Sequence, residues 1–224
     1  MQNETQGKSA TVGILKRELY FPTLIYFQDL PESRELNEGI RSYIYKLRSD
    51  DPDGIVRSNV RQTGAWHSGL DLHQREDFRL LSNRILVAAQ QIFDELGYDP
   101  KYEAAYDNMW ANVSPRYGYN RNHIHPNVLW SGVYYVQAPR NSGRIVFTDP
   151  RAQALIVTPR YVAGTQRKAE NWSEVYFDPI EGRVIFFPAW LTHEVEPNVS
   201  EFDGPDGDRI SISFNLLQRR RNAA

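Results

Sequence analysis

The chain has 224 residues, 24% of them charged, with a formal net charge of −2; it is long enough for one sizeable domain and lacks the basic excess that nucleic-acid binding requires. It has no cysteine, which excludes a disulfide framework, a thiolate metal site and a cysteine nucleophile, so any metal must be held by nitrogen and oxygen. No stretch approaches the roughly 18 consecutive apolar residues of a membrane span, and the opening MQNETQGKSA lacks the basic-then-apolar run of a signal peptide, so a cytoplasmic protein is expected.

In chain order, residues 1–14 read as a flexible polar tail, and 19–27, rich in aromatic and β-branched residues, as a first strand. Pro31 then opens a helix whose Leu36, Ile40, Ile44 and Leu47 draw one apolar stripe, and the turn signal Asp51-Pro52-Asp53-Gly54 ends it. A second helix fits 73–96, with Phe78, Leu81, Ile85, Ala89, Ile92 and Leu96 on one face and Gly97 as its stop. From Tyr102 the text changes to short β-rich runs at 105–113, 128–137, 143–147, 154–159, 174–177, 183–187 and 209–217. Strands gathered after helices imply a mainly β, α+β domain, a sandwich or barrel covered by two α-helices. One domain is expected over 15–217, followed by a basic tail at 218–224 that contains Arg219, Arg220 and Arg221.

Five histidines occur, and three stand in suggestive places. His123 and His125 are two apart at the head of a strand-like run, so an extended backbone can turn both imidazoles to one side with Ile124 opposite. His193 follows the strand-and-turn segment from Gly182 through Pro188, where a short barrel can carry it across to the first pair. Such an imidazole set suits iron, zinc, copper or nickel. His67 and His73 read as ordinary surface or core histidines, His67 with the option of lining a pocket mouth. Near the end, alternation places Arg209, Ser211, Ser213 and Asn215 on one strand face and Ile210, Ile212 and Phe214 on the other. A guanidinium fork and a hydroxyl beside a metal are what a carboxylate-bearing cosubstrate needs.

These residues carry a resemblance. The Gly182–His193–Asn198 pattern is similar to the second cupin motif, and His123-Ile124-His125 to the start of the first, although Leu129 stands where that motif has glutamate. Closer still, Trp66-His67-Ser68, His123 through Asn127, Ser131 through Val136, Phe147 through Arg151, Phe187 through His193 and Arg209 through Asn215 together resemble a family of 2-oxoglutarate and iron(II)-dependent oxygenases of bacteria and phages, from about residue 18 to 217. The resemblance implies a double-stranded β-helix (jelly roll). It also implies iron(II) and 2-oxoglutarate as cofactors, Arg209 and Ser211 holding the far carboxylate, and a dioxygenase that hydroxylates a substrate with release of succinate and carbon dioxide. No catalytic residue beyond the metal site is implied.

One departure leaves the ligand set open. The superfamily has His-x-Asp or His-x-Glu where this chain has His-Ile-His. His123, His125 and His193 can form a three-histidine set, which is preferred; His125 can instead be the first ligand with Asn127 or water in the carboxylate's place; or Asp149 can complete two histidines and a carboxylate. Trp110, Asn112, Asn127 and Tyr135 are the candidate substrate-pocket residues, and Trp130, Tyr134 and Trp190 are further aromatic residues near the motif. The expected partner is a small-molecule or peptide substrate, with no membrane, no indication of nucleic acid, and a homodimer left open. A cupin-type metalloenzyme without 2-oxoglutarate and a non-enzymatic metal- or ligand-binding module are the alternatives.

Overall fold

A computed structural model describes residues 14–58, 60–157, 159–164 and 167–221; of the expected flexible tail, residues 1–13 lie outside these. The strands are β1 (Tyr26–Asp29), β2 (Trp66–His67), β3 (Tyr102–Ser114), β4 (Asn120–His123), β5 (Trp130–Gln137), β6 (Ile145–Thr148), β7 (Glu174–Phe177), β8 (Arg183–Pro188), β9 (His193–Val195) and β10 (Arg209–Arg220). They form one six-stranded sheet, ordered β1, β8, β5, β10, β3, β2, and one four-stranded sheet, ordered β4, β9, β6, β7. The paired strands run antiparallel, and the two sheets face each other as a double-stranded β-helix.

The alternation on β10 decides which face of the large sheet meets what. Ile210, Ile212, Phe214 and Leu216, all 0% exposed, join Met109, Ala111 and Val113 of β3 in the main core. That face is covered by α1 (Ser33–Asp50) and α3 (Arg79–Glu95), whose stripes Ile40, Ile44 and Leu81, Ile85, Ile92 are buried against it. Each such side chain contributes roughly 1.5–3 kcal/mol by leaving water. A third, four-residue helix α2 (Gly54–Arg57) follows α1. Gly97 stops α3 as expected: it takes φ 69°, and Gly97 N–H and Tyr98 N–H donate to the Asp94 and Phe93 carbonyls at 3.1 and 3.0 Å, the double closure that a left-handed residue permits. The other face of the large sheet contributes Val133, Tyr135, Ile185 and Phe187 to a second, smaller core with Ile145, Phe147 and Leu191. The candidate site opens beside this second core.

Several boundaries differ from the sequence expectation. The first strand pairs with β8 only from Tyr26, because Phe21 is left-handed (φ 58°) and Pro22 has no N–H to donate. The described residues of the run 154–159, which leave out 158, form no strand; a 3-10 turn spans Ala152–Leu155, and Ile156 and Val157 are 79% and 77% exposed, so their β-branched character has no neighbouring strand to serve. The second helix is preceded by two 3-10 turns, Leu72–Gln74 and Glu76–Phe78. The basic segment expected to trail from 218 begins instead as the end of β10: Gln218, Arg219 and Arg220 pair with Ala104, Glu103 and Tyr102, and Arg219 forms an ion pair with Glu103 at 2.9 Å.

Candidate metal centre

The site is assembled where the chain crosses between sheets. After β8 closes at Pro188, a turn fixed by Leu191 N–H donating to the Pro188 carbonyl at 2.9 Å buries Leu191 in the second core and delivers His193 to the first position of β9. There His193 pairs directly with His123 of β4 and, on its other side, with Phe147 of β6. The first motif differs from a continuous extended strand. β4 ends at His123, Ile124 is 48% exposed, and the chain is recaptured when His125 N–H donates to the Ala189 carbonyl at 2.9 Å. The two imidazoles converge all the same.

Ring centroids lie 4.3 Å apart for His123 and His193, 5.0 Å for His123 and His125, and 5.2 Å for His125 and His193. One ligand atom from each falls within 4.8 Å of the others, the one such group of potential metal ligands among the described residues. The Nδ1 atoms of His123 and His193 donate to the Arg121 and Leu191 carbonyls at 2.6 and 2.9 Å. Their protons are thereby held on Nδ1, leaving Nε2 with the lone pair that binds a metal. Burial, with His123 as a further contributor, lowers the pKa of His193 to about 3 and that of His125 to about 4. Both rings are therefore neutral at physiological pH, the form in which an imidazole can bind a metal.

Opposite the histidines lies the inner face of the large sheet, and the three enclose a cavity of about 250 Å³. Strand register sets its rows: His67, Asn112, Ser211 and Tyr135 are successive cross-strand neighbours, as are Trp110, Ser213 and Val133. All seven line the cavity, together with Arg209. Arg209 is 2% exposed. Its Nη1 donates to the Ser142, Gly143 and Glu196 carbonyls and its Nη2 to the Gly118 carbonyl, so backbone dipoles position the guanidinium without neutralising it. The acids beside it in sequence are engaged elsewhere, Asp206 with Arg41 and Asp208 with Arg48 and Tyr45. Burial lowers the pKa of Arg209 to about 10, still cationic at neutral pH. Gly143 keeps this nest open: at φ 91°, a Cβ there would collide with the Glu196 carbonyl and Arg209 Nη1. Among the described residues, the buried Tyr135 hydroxyl has no hydrogen-bond partner.

Of the sequence candidates, the cavity brings together His123, His125, His193, Arg209, Ser211, Trp110, Asn112 and Tyr135. Asn127 does not join them; it is exposed and sits in a left-handed turn, φ 67°, just past Pro126. Asp149 stands outside the histidine group, its carboxylate clasped by Arg151 at 2.8 and 3.0 Å. Trp130 and Tyr134 belong to the main core and Trp190 is exposed. His73 stacks on Tyr106 away from the cavity. His67, read from sequence as ordinary with the option of lining a pocket mouth, does line it; its cross-strand pairing with Asn112 arises from a two-residue strand too short to announce itself by periodicity.

Residues 108–215 match a family model described as "Putative 2OG-Fe(II) oxygenase". That segment, just under half of the chain, contains all three clustered histidines and Arg209. Among solved structures, a Pseudomonas putida prolyl-4-hydroxylase is similar at 16% identity, covering 88% of this chain and 94% of its own, with a TM-score of 0.52. HygX from Streptomyces hygroscopicus with nickel and 2-oxoglutarate bound is similar at 12% identity, covering 87% and 82%, TM-score 0.55. The same protein with hygromycin B also bound gives 13%, 87%, 83% and 0.54. At these identities the likeness is one of fold. Comparison with curated proteins gave no match. Among the described residues, no helix is long and apolar enough to cross a membrane.

Proposed function

We propose that the protein is a non-haem iron(II), 2-oxoglutarate-dependent dioxygenase that hydroxylates its primary substrate. The observation that carries the reading is the pairing, inside one cavity, of three imidazoles with a buried guanidinium that forms no ion pair among the described residues, Glu196 acting on it only from a distance. A buried cation held only by carbonyls is costly unless an anion joins it, and a dicarboxylate that also chelates a metal meets both needs. The donor set fits iron(II): three nitrogens leave open coordination positions, although imidazole equally suits nickel, copper and zinc.

In this reading His123, His125 and His193 hold the metal, two of them oriented by their Nδ1 bonds to backbone carbonyls. Arg209 and Ser211 receive the far carboxylate of 2-oxoglutarate, and the unpartnered Tyr135 hydroxyl donates to the same group. The apolar residues Val133, Ile145 and Phe187 line the cavity between these ends and exclude water from it. When bound, iron and 2-oxoglutarate supply oxidative decarboxylation to succinate and carbon dioxide, coupled to transfer of one oxygen atom from O2 into a substrate C–H bond. The protein's own part is binding, orientation and dryness. The test is succinate formation from 2-oxoglutarate under air with added iron(II). The wild type should form it above the free-iron background and His193→Ala should not; equal yields from the two would reject the reading.

A further inference from the structure

His67 lies outside the segment matched by the family model, yet its ring is part of the metal cavity. It stacks on Trp110 with centroids 5.5 Å apart and planes 12° from parallel, and Trp110 in turn lies 5.9 Å from His125. One indole therefore separates it from a proposed metal ligand. Its backbone is pinned by Arg57, whose Nε donates to the His67 carbonyl at 3.2 Å. Its Nδ1 faces the Ser68 carbonyl at 2.6 Å. A carbonyl can only accept, so the ring proton sits on Nδ1 and the lone pair on Nε2. Among the described residues, no hydrogen bond to Nε2 accompanies this. The ring is thus fixed in place, in plane and in tautomer, with a bare acceptor left for something that enters the cavity.

The charges around it narrow what that is. None of the described residues lining the cavity is Asp or Glu, so a cation would find no partner there. Of the two arginines that line it, Arg57 is paired with Asp51, and Arg209, on the oxygenase reading, takes the cosubstrate. The polar residues that line the cavity besides these are uncharged, among them Asn112, the cross-strand neighbour of His67, and Ser58, Asn108 and Ser213. Asn112 Nδ2 is used by Ser213 Oγ at 3.1 Å, which turns the Asn112 carbonyl oxygen into a second acceptor one strand from His67.

We propose that His67 Nε2 is a substrate-recognition atom that accepts a hydrogen bond from the primary substrate, and that this substrate is a neutral hydroxyl- or amide-bearing molecule. Calling it a substrate rests on the oxygenase reading; the recognition itself does not. Burial lowers the pKa of His67, in keeping with a ring that remains an acceptor at neutral pH.

The test is imidazole nitrogen NMR on the full chain, metal-free and zinc-loaded, with acetamide, methylammonium and acetate as probes of similar size. The result expected is a His67 ring protonated on Nδ1, whose Nε2 resonance shifts with acetamide and responds less to either ion. His67→Phe keeps the stack on Trp110 but removes the acceptor, and should weaken acetamide binding roughly two- to tenfold, the range for one net hydrogen bond; His67→Gln should restore most of it. A proton on Nε2, an acetamide response no larger than that to methylammonium, or unchanged acetamide binding in His67→Phe would each overturn the proposal. These readings come from the metal-free chain as well, so failure of the protein to take up zinc would count against the metal centre and leave the His67 result to stand or fall by itself.

Discussion

Arg209 and Tyr135, on the adjacent strands β10 and β5, lie within electrostatic reach of each other in the wall of the metal cavity. One is a buried cation whose hydrogen bonds among the described residues go to backbone carbonyls, with Glu196 within electrostatic reach; the other is a buried phenol whose hydroxyl has no hydrogen-bond partner among the described residues. Both are more expensive to bury alone than with an anion between them. On the proposed reading this pair, more than the histidines, is what would distinguish a 2-oxoglutarate site from a plain metal site.

Tyr135→Phe should therefore act in opposite directions on the free and the liganded protein. Removing an unsatisfied buried hydroxyl raises the stability of the free protein by about 1 kcal/mol. The same change weakens 2-oxoglutarate binding and shrinks the stabilisation that it confers. Thermal melts with and without 2-oxoglutarate read both; a variant destabilised without ligand would mean that the hydroxyl has a partner in the free state.

Arg209→Ala should abolish cosubstrate use while leaving metal content nearly unchanged. Loss of 2-oxoglutarate binding of roughly 2–5 kcal/mol is expected from truncated buried charge pairs. A lower melting temperature should accompany it, since the carbonyls of Ser142, Gly143, Glu196 and Gly118 lose their donor. Arg209→Lys separates the two effects: it keeps the charge without the fork and should retain part of the 2-oxoglutarate affinity. Equal affinity in wild type and Arg209→Ala would place the carboxylate anchor elsewhere.

Iron uptake should depend on His123, His125 and His193 but not on His73, which stacks on Tyr106 away from the cavity. Alanine at each position followed by iron quantification checks this. Full iron content in His193→Ala, with the fold intact by circular dichroism, would remove the cross-strand His123–His193 pair from the assignment.

The metal-free protein should lose stability in mild acid. His125 and His193 have folded pKa values lowered to about 4 and about 3 from an ordinary 6.5. The unfolded chain thus binds more protons below about 6.5, and the stability present above that pH declines as pH falls through the folded values. Chemical denaturation across that window should show a slope that becomes shallower in His193→Phe, which removes one of the two titrating rings. Identical slopes would mean that His193 is not buried neutral in the folded state.

The sequence made legible what rests on long periodic runs and on chemistry-bearing residue types. The apolar stripe of α1, the Gly97 stop of α3 and the two faces of β10 follow from spacing alone, and so does the same-side placement of Arg209 and Ser211. The histidine cluster was legible as a conjunction of motifs. The elements that set its geometry are only two to four residues long: β2, β4 and β9 carry no periodicity, so the cross-strand pairings of His123 with His193 and of His67 with Asn112 could not be read in advance, although a place for His67 at a pocket mouth was an option. The run 154–159 misled because β-branched composition describes a residue's fit to a sheet and is silent about whether a neighbouring strand is there.

The central claim is that one cavity binds metal through three histidines and 2-oxoglutarate through Arg209 at the same time. Anaerobic titration of 2-oxoglutarate into the iron(II)-loaded protein, followed by visible absorption, measures this directly. A weak charge-transfer band that saturates at one equivalent in the wild type, and that needs far more 2-oxoglutarate in Arg209→Ala at the same iron content, is the predicted result. Absence of the band in an iron-loaded, folded wild-type protein would contradict the account.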